Sequence, residues 1–362
     1  MESCKIVISG YYGFKNAGDE AMLYSILRAV RSIDPDSDVT VISGKPEQTE
    51  KAFGVRAVPR FGGFAIFRKL CTADVLISGG GSLLQDVTSS RSCLYYLSLI
   101  WTAAFLGKKV MLYAQGIGPI RRHWVARLIR FVLSRVDAIT VRDETSEQFL
   151  KKIGVTAPIY TTADSVFFLT KEETETGKAI LRAAGVPEHK KTVGLSVRNW
   201  KDAETWTKAF AQYIEKMAQD DVSLVFIPMQ HPDDTRMAKL LCEKEFENVY
   251  FLDGTYRVGE LMSIIGGLDL LVGMRLHALI FAALSHIPMI GISYDPKIDN
   301  FLSSVGQKAL FPVEKFDADS LYRASREILE GKETAHPEKV EALQEKARET
   351  VSVLQTLMQS AK

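Results

Sequence analysis

The stretch LVGMRLHALIF (residues 271–281) is apolar except for Arg275 and His277. The run LDLLVGM, which ends at Met274, predicts a buried strand, and a helix is expected from close to Leu276. Arg275 and His277 would then lie at the carboxyl end of a strand and the amino end of a helix. Because the helix dipole is positive there, two cations are unfavourable unless an anion faces them. A purely structural histidine is the alternative, and its pairing with an arginine at this position favours an anion site.

The same alternation of strand and helix runs through the whole chain. Short β-branched runs such as KIVISG, VTVIS, DVLISGGG, KVMLYAQGIG and AITVRDE alternate with amphipathic helical stretches, and a second series begins at TVGLSVR. This alternation predicts an α/β fold of two Rossmann-like, doubly wound domains with mostly parallel sheets. Two such domains face each other across a cleft, and ligands bind at the carboxyl ends of the strands.

A change of composition marks the domain boundary. The charged stretch TKEETETGK at residues 170–178 interrupts the strand–helix series. A length of 362 residues also suggests two domains rather than one core. We expect an N-terminal domain at 1–170, a linker at 171–190, a C-terminal domain at 191–335 and a charged helix at 336–362.

The bulk composition excludes several classes of protein. The composition, 46% hydrophobic and 25% charged, is typical of a globular protein. The net charge of +1 does not indicate a nucleic-acid partner. The four cysteines are scattered without metal-ligand spacing, which is typical of reduced thiols in a cytoplasm. The most apolar stretch, Leu94 to Leu106, contains Ser98 and Thr102 and is too short to cross a bilayer. We expect a cytoplasmic protein without a metal site.

The segment GYYGFKNAGDEA contains candidate sugar-binding residues. It lacks the GxGxxG spacing of a dinucleotide site, so NAD binding is disfavoured. The exposed aromatic rings expected at Tyr11, Tyr12 and Phe14 could stack on a sugar, while Asn16 and Asp19 could bind hydroxyl groups. The alternative is that the rings pack the loop and that Asp19 caps the helix.

Three further segments end strands with polar residues or glycines. In ISGGGSLLQD, Gly80, Gly81 and Ser82 follow a strand and offer backbone donors to a phosphate or a sugar hydroxyl, although close packing would also explain the glycines. Arg142 ends the TVRDE strand, where an anion or an internal acid could be its partner. Lys297 in PMIGISYDPK adds a third cation near Arg275 and His277.

A basic stretch lies at residues 121–135. The sequence RRHWVARLIRFVLSR combines five arginines with Trp124, Leu128 and Phe131. Such a helix can lie against an anionic membrane or a pyrophosphate-bearing lipid. The alternative is a helix that covers the sheet and exposes its arginines to water.

Together, GYYGFKNAGDEA, SGGGSLLQD, YAQGIGP, TVRDE, GMRLHALIFA and GISYDPK resemble the motifs of the polysaccharide pyruvyl transferase family, most closely its cell-surface-anchoring CsaB branch. The resemblance extends from about residue 5 to about residue 310. It implies a fold similar to GT-B glycosyltransferases and transfer of the enolpyruvyl unit of phosphoenolpyruvate to a sugar as a ketal. It places the donor around His277, Lys297 and Arg142 and the acceptor near Tyr12 and Phe14.

In the CsaB branch the acceptor is a lipid-linked precursor of the secondary cell-wall polymer, which anchors S-layer-type proteins. The resemblance therefore implies phosphoenolpyruvate as a co-substrate, no further cofactor, and peripheral contact with the inner face of the membrane. Arg275, Lys297 and Arg142 would bind the doubly acidic donor, and His277 would act as acid or base. The alternatives are a GT-B glycosyltransferase that uses a nucleotide sugar and a non-catalytic glycan-binding module.

Overall fold

A computed structural model describes residues 3–87, 90–200, 203–242, 244–307, 310–313, 315, 317–331 and 336–361. The chain forms two compact units. The first contains Met1–Phe14, Asp19–Phe168 and Ala342–Lys362, and the second contains Lys15–Gly18 and Leu169–Glu341. Each unit has one parallel sheet, which confirms the α/β class and the two doubly wound domains expected from the sequence.

The sheet of the first unit has seven parallel strands. Their spatial order is β3 (Arg56–Pro59), β2 (Asp38–Ser43), β1 (Lys5–Tyr12), β4 (Val75–Gly79), β5 (Lys109–Gln115), β6 (Ala138–Val141) and β7 (Ile159–Thr161). The order reverses between β1 and β4, because the chain first winds outward to β3 and then returns to the centre of the sheet. A reversal of this kind is the usual place for a ligand in open α/β sheets.

Helices cover both faces of this sheet. One face is packed by α3 (Gly63–Thr72), α4 (Ser90–Phe105), α5 (His123–Leu133) and α6 (Glu144–Ile153), which share a single apolar core with the sheet. The other face is packed by α1 (Ala17–Ile33), with α2 (Pro46–Phe53) connecting β2 and β3. Both faces of the central strands are therefore buried, which explains their continuous apolar runs rather than alternating patterns.

The second unit has a six-stranded parallel sheet. Its order is β10 (Val249–Phe251), β9 (Val222–Phe226), β8 (Lys191–Ser196), β11 (Leu270–Gly273), β12 (Met289–Ser293) and β13 (Leu310–Pro312). Its helices are α7 (Glu175–Ala183), α8 (Ala203–Met217), α9 (Asp233–Leu241), α10 (Val258–Gly266), α11 (Leu276–Leu284), α12 (Pro296–Ser304) and α13 (Ala318–Leu329). In register, Gly273 pairs with Ser196 on β8 and with Gly291 on β12, so these three strands end at similar heights.

Residues 171–190, expected as a linker, belong to the second unit. Helix α7 lies within them and packs on α10, where the backbone N–H of Gly177 donates to the Ser263 hydroxyl at 2.7 Å. The charged composition that suggested a linker reflects one solvated face of α7, whose Leu181 is buried.

The last helix returns to the first unit. Helix α14 (Pro337–Ser360) is the charged C-terminal helix expected from the sequence, and Leu354, Leu357 and Met358 join the core beneath β1 and α1. The Thr350 hydroxyl donates to the Thr162 hydroxyl at 2.8 Å in the same buried region. Among the described helices, none combines the length and the apolar composition that a bilayer crossing demands.

We expect Leu354→Ala to destabilise the first unit by about 3 kcal/mol, because truncating a fully buried leucine removes apolar burial and leaves a cavity. Urea unfolding followed by circular dichroism measures this loss. Glu349→Ala on the exposed side of the same helix is the control and should change stability little. Equal stability of the two variants would contradict the assignment of α14 to this core.

Candidate functional site

The carboxyl edge of the second sheet carries most of the predicted donor residues. Strands β8, β11 and β12 are neighbours. Arg275 caps the amino end of α11 just after β11, and His277 lies in the first turn of that helix. Lys297 lies in the first turn of α12, just after β12. Parallel strands end at one edge, so the structure brings these three residues to the same side of the unit.

Arg275 has an internal counterion. Its Nε donates to Oδ2 of Asp234 at 3.0 Å, and its Nη2 donates to Asp234 Oδ1 and, at 3.3 Å, to Gln230 Oε1. Asp234 is only 2% exposed, so this is a buried, bidentate ion pair. Contrary to the expectation from its position, Arg275 does not need an external anion, because α9 supplies the compensating carboxylate. Its role as a donor ligand stays a prediction.

His277 is half-buried beside the segment Lys15–Gly18, which belongs to the same unit. A Cβ placed on Gly18 would come within 2.2 Å of Nδ1 of His277, so only glycine leaves room for the imidazole. The segment is held in place by two contacts: the Ala17 N–H donates to the Met229 carbonyl at 2.7 Å, and Asn16 forms a β-bridge with Gln230. The imidazole position thus depends on residues far away in the sequence.

Arg198 is a candidate that the sequence analysis missed. It lies two residues after β8 and donates from Nη1 to the Tyr294 hydroxyl at 2.7 Å. Its guanidinium is 4.7 Å from the centroid of the Tyr294 ring and 5.3 Å from that of Trp200. Within the described ranges, no carboxylate forms an ion pair with Arg198. The strand-end criterion used for Arg275 would have found it, since TVGLSVR ends the same way.

Lys297 lies on the other side of this group. Its Nζ is 5.7 Å from the centroid of the Tyr294 ring and 3.6 Å from Asp295 Oδ2. Asp295 also caps α12 by accepting the Lys297 N–H at 3.1 Å. The ion pair is about one-third exposed on both sides, so water screens it and an arriving oxyanion can compete for the ammonium group.

Arg142 lies in the first unit and is tightly paired there. It donates from Nη1 to Oδ2 of the buried Asp164 at 3.2 Å and from Nη2 to the Ser82 hydroxyl at 3.1 Å, while its Nε is 3.7 Å from Asp143. Gly116 lies against the guanidinium, where a Cβ would come within 2.8 Å of it. The internal salt bridge that the sequence analysis kept as an alternative is therefore present.

The loop of Gly80, Gly81 and Ser82 follows β4, as expected, but it does not lead directly into a helix. Helix α4 begins only at Ser90, so no helix amino end lies behind the glycines. Both glycines have positive φ, and the Gly80 N–H already donates to the Tyr113 carbonyl at 3.1 Å. A side chain on Gly81 would come within 3.5 Å of the Asp19 carboxylate. The loop therefore brings Ser82 to Arg142, and its phosphate role stays a prediction.

Tyr12 is buried, contrary to the exposed loop position expected for an acceptor residue. Strand β1 continues to Tyr12, whose side chain is 1% exposed and packs on Gly10 and Gly79. Burial and the Asp19 carboxylate raise the pKa of Tyr12 well above its ordinary value. Tyr11 points outward instead and stacks on Phe14, with ring centroids 4.2 Å apart and planes 12° from parallel.

A second arginine missed by the sequence analysis lies beside this aromatic pair. The guanidinium of Arg60, just after β3, is 5.6 Å from the Tyr11 ring centroid and 5.4 Å from that of Phe14. It is equally close to the rings of Phe61, Tyr95 and Tyr96. Five rings around one cation form a partly exposed aromatic cluster that a sugar ring or an anion could approach.

The two polar residues predicted on the acceptor side fall in different units. Asn16 is in the second unit, where its Oδ1 accepts the Gly18 N–H at 3.1 Å. Asp19 is in the first unit, near Tyr12 and Gly81. In the described part of the chain, no cluster of His, Cys, Asp and Glu is suited to hold a metal ion.

Comparisons with known proteins agree with this architecture. The family model of polysaccharide pyruvyl transferase matches residues 16–296. The amylovoran biosynthesis protein AmsJ of Erwinia amylovora is 22% identical over 362 residues, covering 83% of this chain and 86% of the relative.

Solved structures show the same fold. The UDP-GlcNAc 2-epimerase of Methanocaldococcus jannaschii superposes with a TM-score of 0.70 at 12% identity, covering 98% of this chain and 99% of its own. Anabaena Alr3699/HepE in complex with UDP-glucose gives a TM-score of 0.63 at 14% identity, covering 99% and 98%. The GT-B-like fold class expected from the sequence is thereby confirmed.

We expect Gly18→Ala to displace the His277 imidazole, because the added methyl group would overlap Nδ1. Overpacking of this kind costs roughly 1–3 kcal/mol. The imidazole resonances in ¹H–¹⁵N spectra measure the displacement, with His277→Gln used for assignment. Gly63→Ala is the matched control, since no atom lies within 4 Å of its added methyl group. An unchanged His277 resonance would show that the close approach has no consequence.

Proposed function

The chain belongs to the polysaccharide pyruvyl transferase family, and on that premise we propose that it transfers the enolpyruvyl unit of phosphoenolpyruvate to a saccharide. The product is a cyclic pyruvate ketal, and phosphate is released. The observation that carries this proposal is the cluster at the carboxyl edge of the second sheet. There an arginine and a lysine flank Tyr294, next to a histidine on the adjacent strand–helix turn.

The proposed donor matches the charges of this cluster. Phosphoenolpyruvate has a carboxylate and a phosphate, and Arg198 and Lys297 supply two cationic groups for them. Arg198 hydrogen-bonds the neutral Tyr294 hydroxyl, and Lys297 forms only a partly exposed ion pair with Asp295. Arg275 stays a predicted contact to phosphoenolpyruvate. It would use guanidinium N–H groups other than those that donate to Asp234 and Gln230. Arg142 is likewise predicted as a donor ligand, held in a fixed orientation by Asp164 and Ser82. Protein cations rather than a metal ion would neutralise the donor.

The proposed chemistry is acid–base. A proton added to the methylene carbon makes the neighbouring carbon an oxocarbenium-like centre, which a sugar hydroxyl attacks with loss of its own proton. The bond from this carbon to the phosphate oxygen then breaks. A second sugar hydroxyl attacks the same carbon to close the ring, and its proton passes to the departing phosphate. His277 exchanges protons in these steps, because an imidazole can both donate and accept a proton and this one lies at the same edge as the cations.

The proposed acceptor contacts are aromatic. Sugar rings stack on flat aromatic faces, and the parallel pair of Tyr11 and Phe14 beside Arg60 presents such a face. Of the three rings considered from the sequence, Tyr12 is buried, so Tyr11 and Phe14 are the proposed stacking residues. Asn16, Asp19 and the loop of Gly80, Gly81 and Ser82 remain proposed contacts to hydroxyl or phosphate groups. We further propose that the acceptor is a lipid-linked precursor of a cell-wall polysaccharide, as in the CsaB branch.

The rival function is sugar transfer from a nucleotide sugar. It is favoured by the likeness to Anabaena Alr3699/HepE, whose structure contains UDP-glucose. Thermal-shift titration separates the two functions, because a ligand that binds the native state raises the melting temperature. We expect phosphoenolpyruvate to raise it and UDP-glucose to leave it unchanged. The opposite result would favour the nucleotide-sugar transferase.

The decisive experiment mixes the protein, phosphoenolpyruvate and a polyprenyl-pyrophosphate-linked disaccharide, with and without EDTA. We expect a product heavier by one pyruvyl ketal, with stoichiometric phosphate release and no effect of EDTA. His277→Ala should fold normally and lose turnover by roughly a hundredfold or more. If the wild type shows no turnover, and His277→Ala still binds the acceptor, a non-catalytic glycan-binding module is favoured.

We expect Arg198→Gln to raise the KM for phosphoenolpyruvate roughly tenfold to a hundredfold, because a charge-assisted hydrogen bond to the donor is lost. Steady-state kinetics with varied donor measure the effect. Arg236→Gln, an exposed arginine on α9 of the same unit, removes the same charge and should leave KM unchanged. Equal KM values for the two variants would remove Arg198 from the donor site.

A further inference from the structure

Charge is strongly segregated along the first unit. Residues 60–136 contain eleven lysines and arginines but only two acidic residues, in a chain whose net charge is +1. The helices α3, α4 and α5 contain no aspartate or glutamate at all. The near-neutral net charge of the whole protein therefore hides a strongly basic region.

The two acidic residues of this region do not neutralise its surface. Asp74 accepts a hydrogen bond from the backbone N–H of Lys5, at the start of β1, with a distance of 2.8 Å. Asp86 is buried and accepts the backbone N–H groups of Arg121 and Arg122 at 2.7 and 2.8 Å. Among the described residues, no ion pair involves the exposed cations on or next to the three helices, which are Arg68, Arg91, Arg121, Arg122, Arg127, Arg130 and Arg135.

Exposed aromatic side chains are concentrated on or next to the same helices. Phe61 is 85% exposed, Phe64 is 83% exposed and Phe105 is 77% exposed, which is unusual for phenylalanine in a folded domain. Three more aromatic side chains are exposed nearby, namely Phe67, Trp124 and Phe131. These six make up most of the large apolar side chains exposed in the described chain.

The three helices present one continuous surface. Their inner faces share one apolar core on the same side of the sheet, through residues such as Ile66, Ile100 and Ile129. On the outside, the rings of Trp101 on α4 and Phe131 on α5 lie 4.9 Å apart, with the Arg135 guanidinium over both. We call the exposed side chains of residues 60–72, 91–105 and 121–135 the basic aromatic face.

We propose that the basic aromatic face docks the protein on an anionic lipid bilayer. Aromatic side chains partition into the interface between headgroups and acyl chains, while the arginines around them bind lipid phosphates. Because α3, α4 and α5 contain no acidic residue, these helices would not repel a negatively charged membrane surface. This docking does not depend on which reaction the protein catalyses. It widens the contact expected from residues 121–135 alone to two more helices.

Flotation with vesicles tests the proposal with the full-length protein. We expect binding to vesicles of equimolar phosphatidylglycerol and phosphatidylcholine, little binding to phosphatidylcholine alone, and weaker binding as salt increases. Arg127→Gln/Arg130→Gln should lower the partition coefficient about twenty-five-fold, since each cation near an anionic membrane contributes roughly fivefold. Phe64→Ser/Phe105→Ser should lower it by a similar factor through lost insertion.

Matched controls separate this face from general stickiness. Lys151→Gln/Lys152→Gln removes two charges from α6, and Tyr160→Ser/Leu240→Ser removes two exposed apolar side chains elsewhere. Both controls should bind like the wild type. Equal loss in a control, or equal binding to neutral vesicles, would overturn the proposal. So would a concentration-dependent dimer in analytical ultracentrifugation that Phe64→Ser/Phe105→Ser abolishes, combined with no vesicle binding.

A thermal melt and an assay with a lipid-free acceptor keep the result independent of folding and of the proposed reaction. The face variants should melt like the wild type, because the altered side chains are exposed. They should also keep whatever turnover the wild type shows with the lipid-free acceptor. Loss of vesicle binding with an unchanged melting temperature supports the docking face even if the pyruvyl transfer itself proves wrong.

Discussion

One buried carboxylate organises the candidate site of the second unit. Asp234 accepts the backbone N–H groups of Met229 and Gln230 at 3.1 and 2.9 Å and forms the bidentate pair with Arg275. A carboxylate with almost no exposure is stable only when its charge is matched and its lone pairs are occupied. Met229 in turn accepts the Ala17 N–H. A single side chain thus holds together the turns after β9 and β11 and the segment Lys15–Gly18.

This arrangement determines which cations remain for a ligand. Arg275 is consumed in the framework, and His277, two residues later, is positioned by that framework on one side and by Gly18 on the other. Arg198 and Lys297 instead lie around Tyr294, where no buried carboxylate among the described residues compensates them. Arg275 is held by an internal carboxylate, whereas Arg198 and Lys297 are less compensated. This difference is the physical basis for proposing that the donor binds at Arg198 and Lys297.

Sequence reasoning placed candidate residues at the strand ends where the structure has them, but it missed Arg198 and Arg60 and misplaced the Tyr12 side chain. The strands, their parallel arrangement and the strand-end positions of Arg275, His277 and Lys297 follow from local apolar patterns. Tyr12 was misplaced because β1 continues past Gly10, and the two-residue period of a strand then buries Tyr12 and exposes Tyr11. Arg198 and Arg60 satisfy the same strand-end criterion, and their importance emerges only from the aromatic rings packed around them.

The sequence by itself determined the α/β class, the two strand–helix series, the motifs of the family and the acid-free composition of α3 to α5. These features are local, because they depend on periodicity, turn residues and counts along a short window. Only the tertiary structure decided that Asp234 neutralises Arg275, that Asp164 and Ser82 hold Arg142, and that α7 belongs to the second unit. An ion pair forms between groups brought together by the sheet order, and a linear pattern contains no record of which distant carboxylate a buried cation will meet.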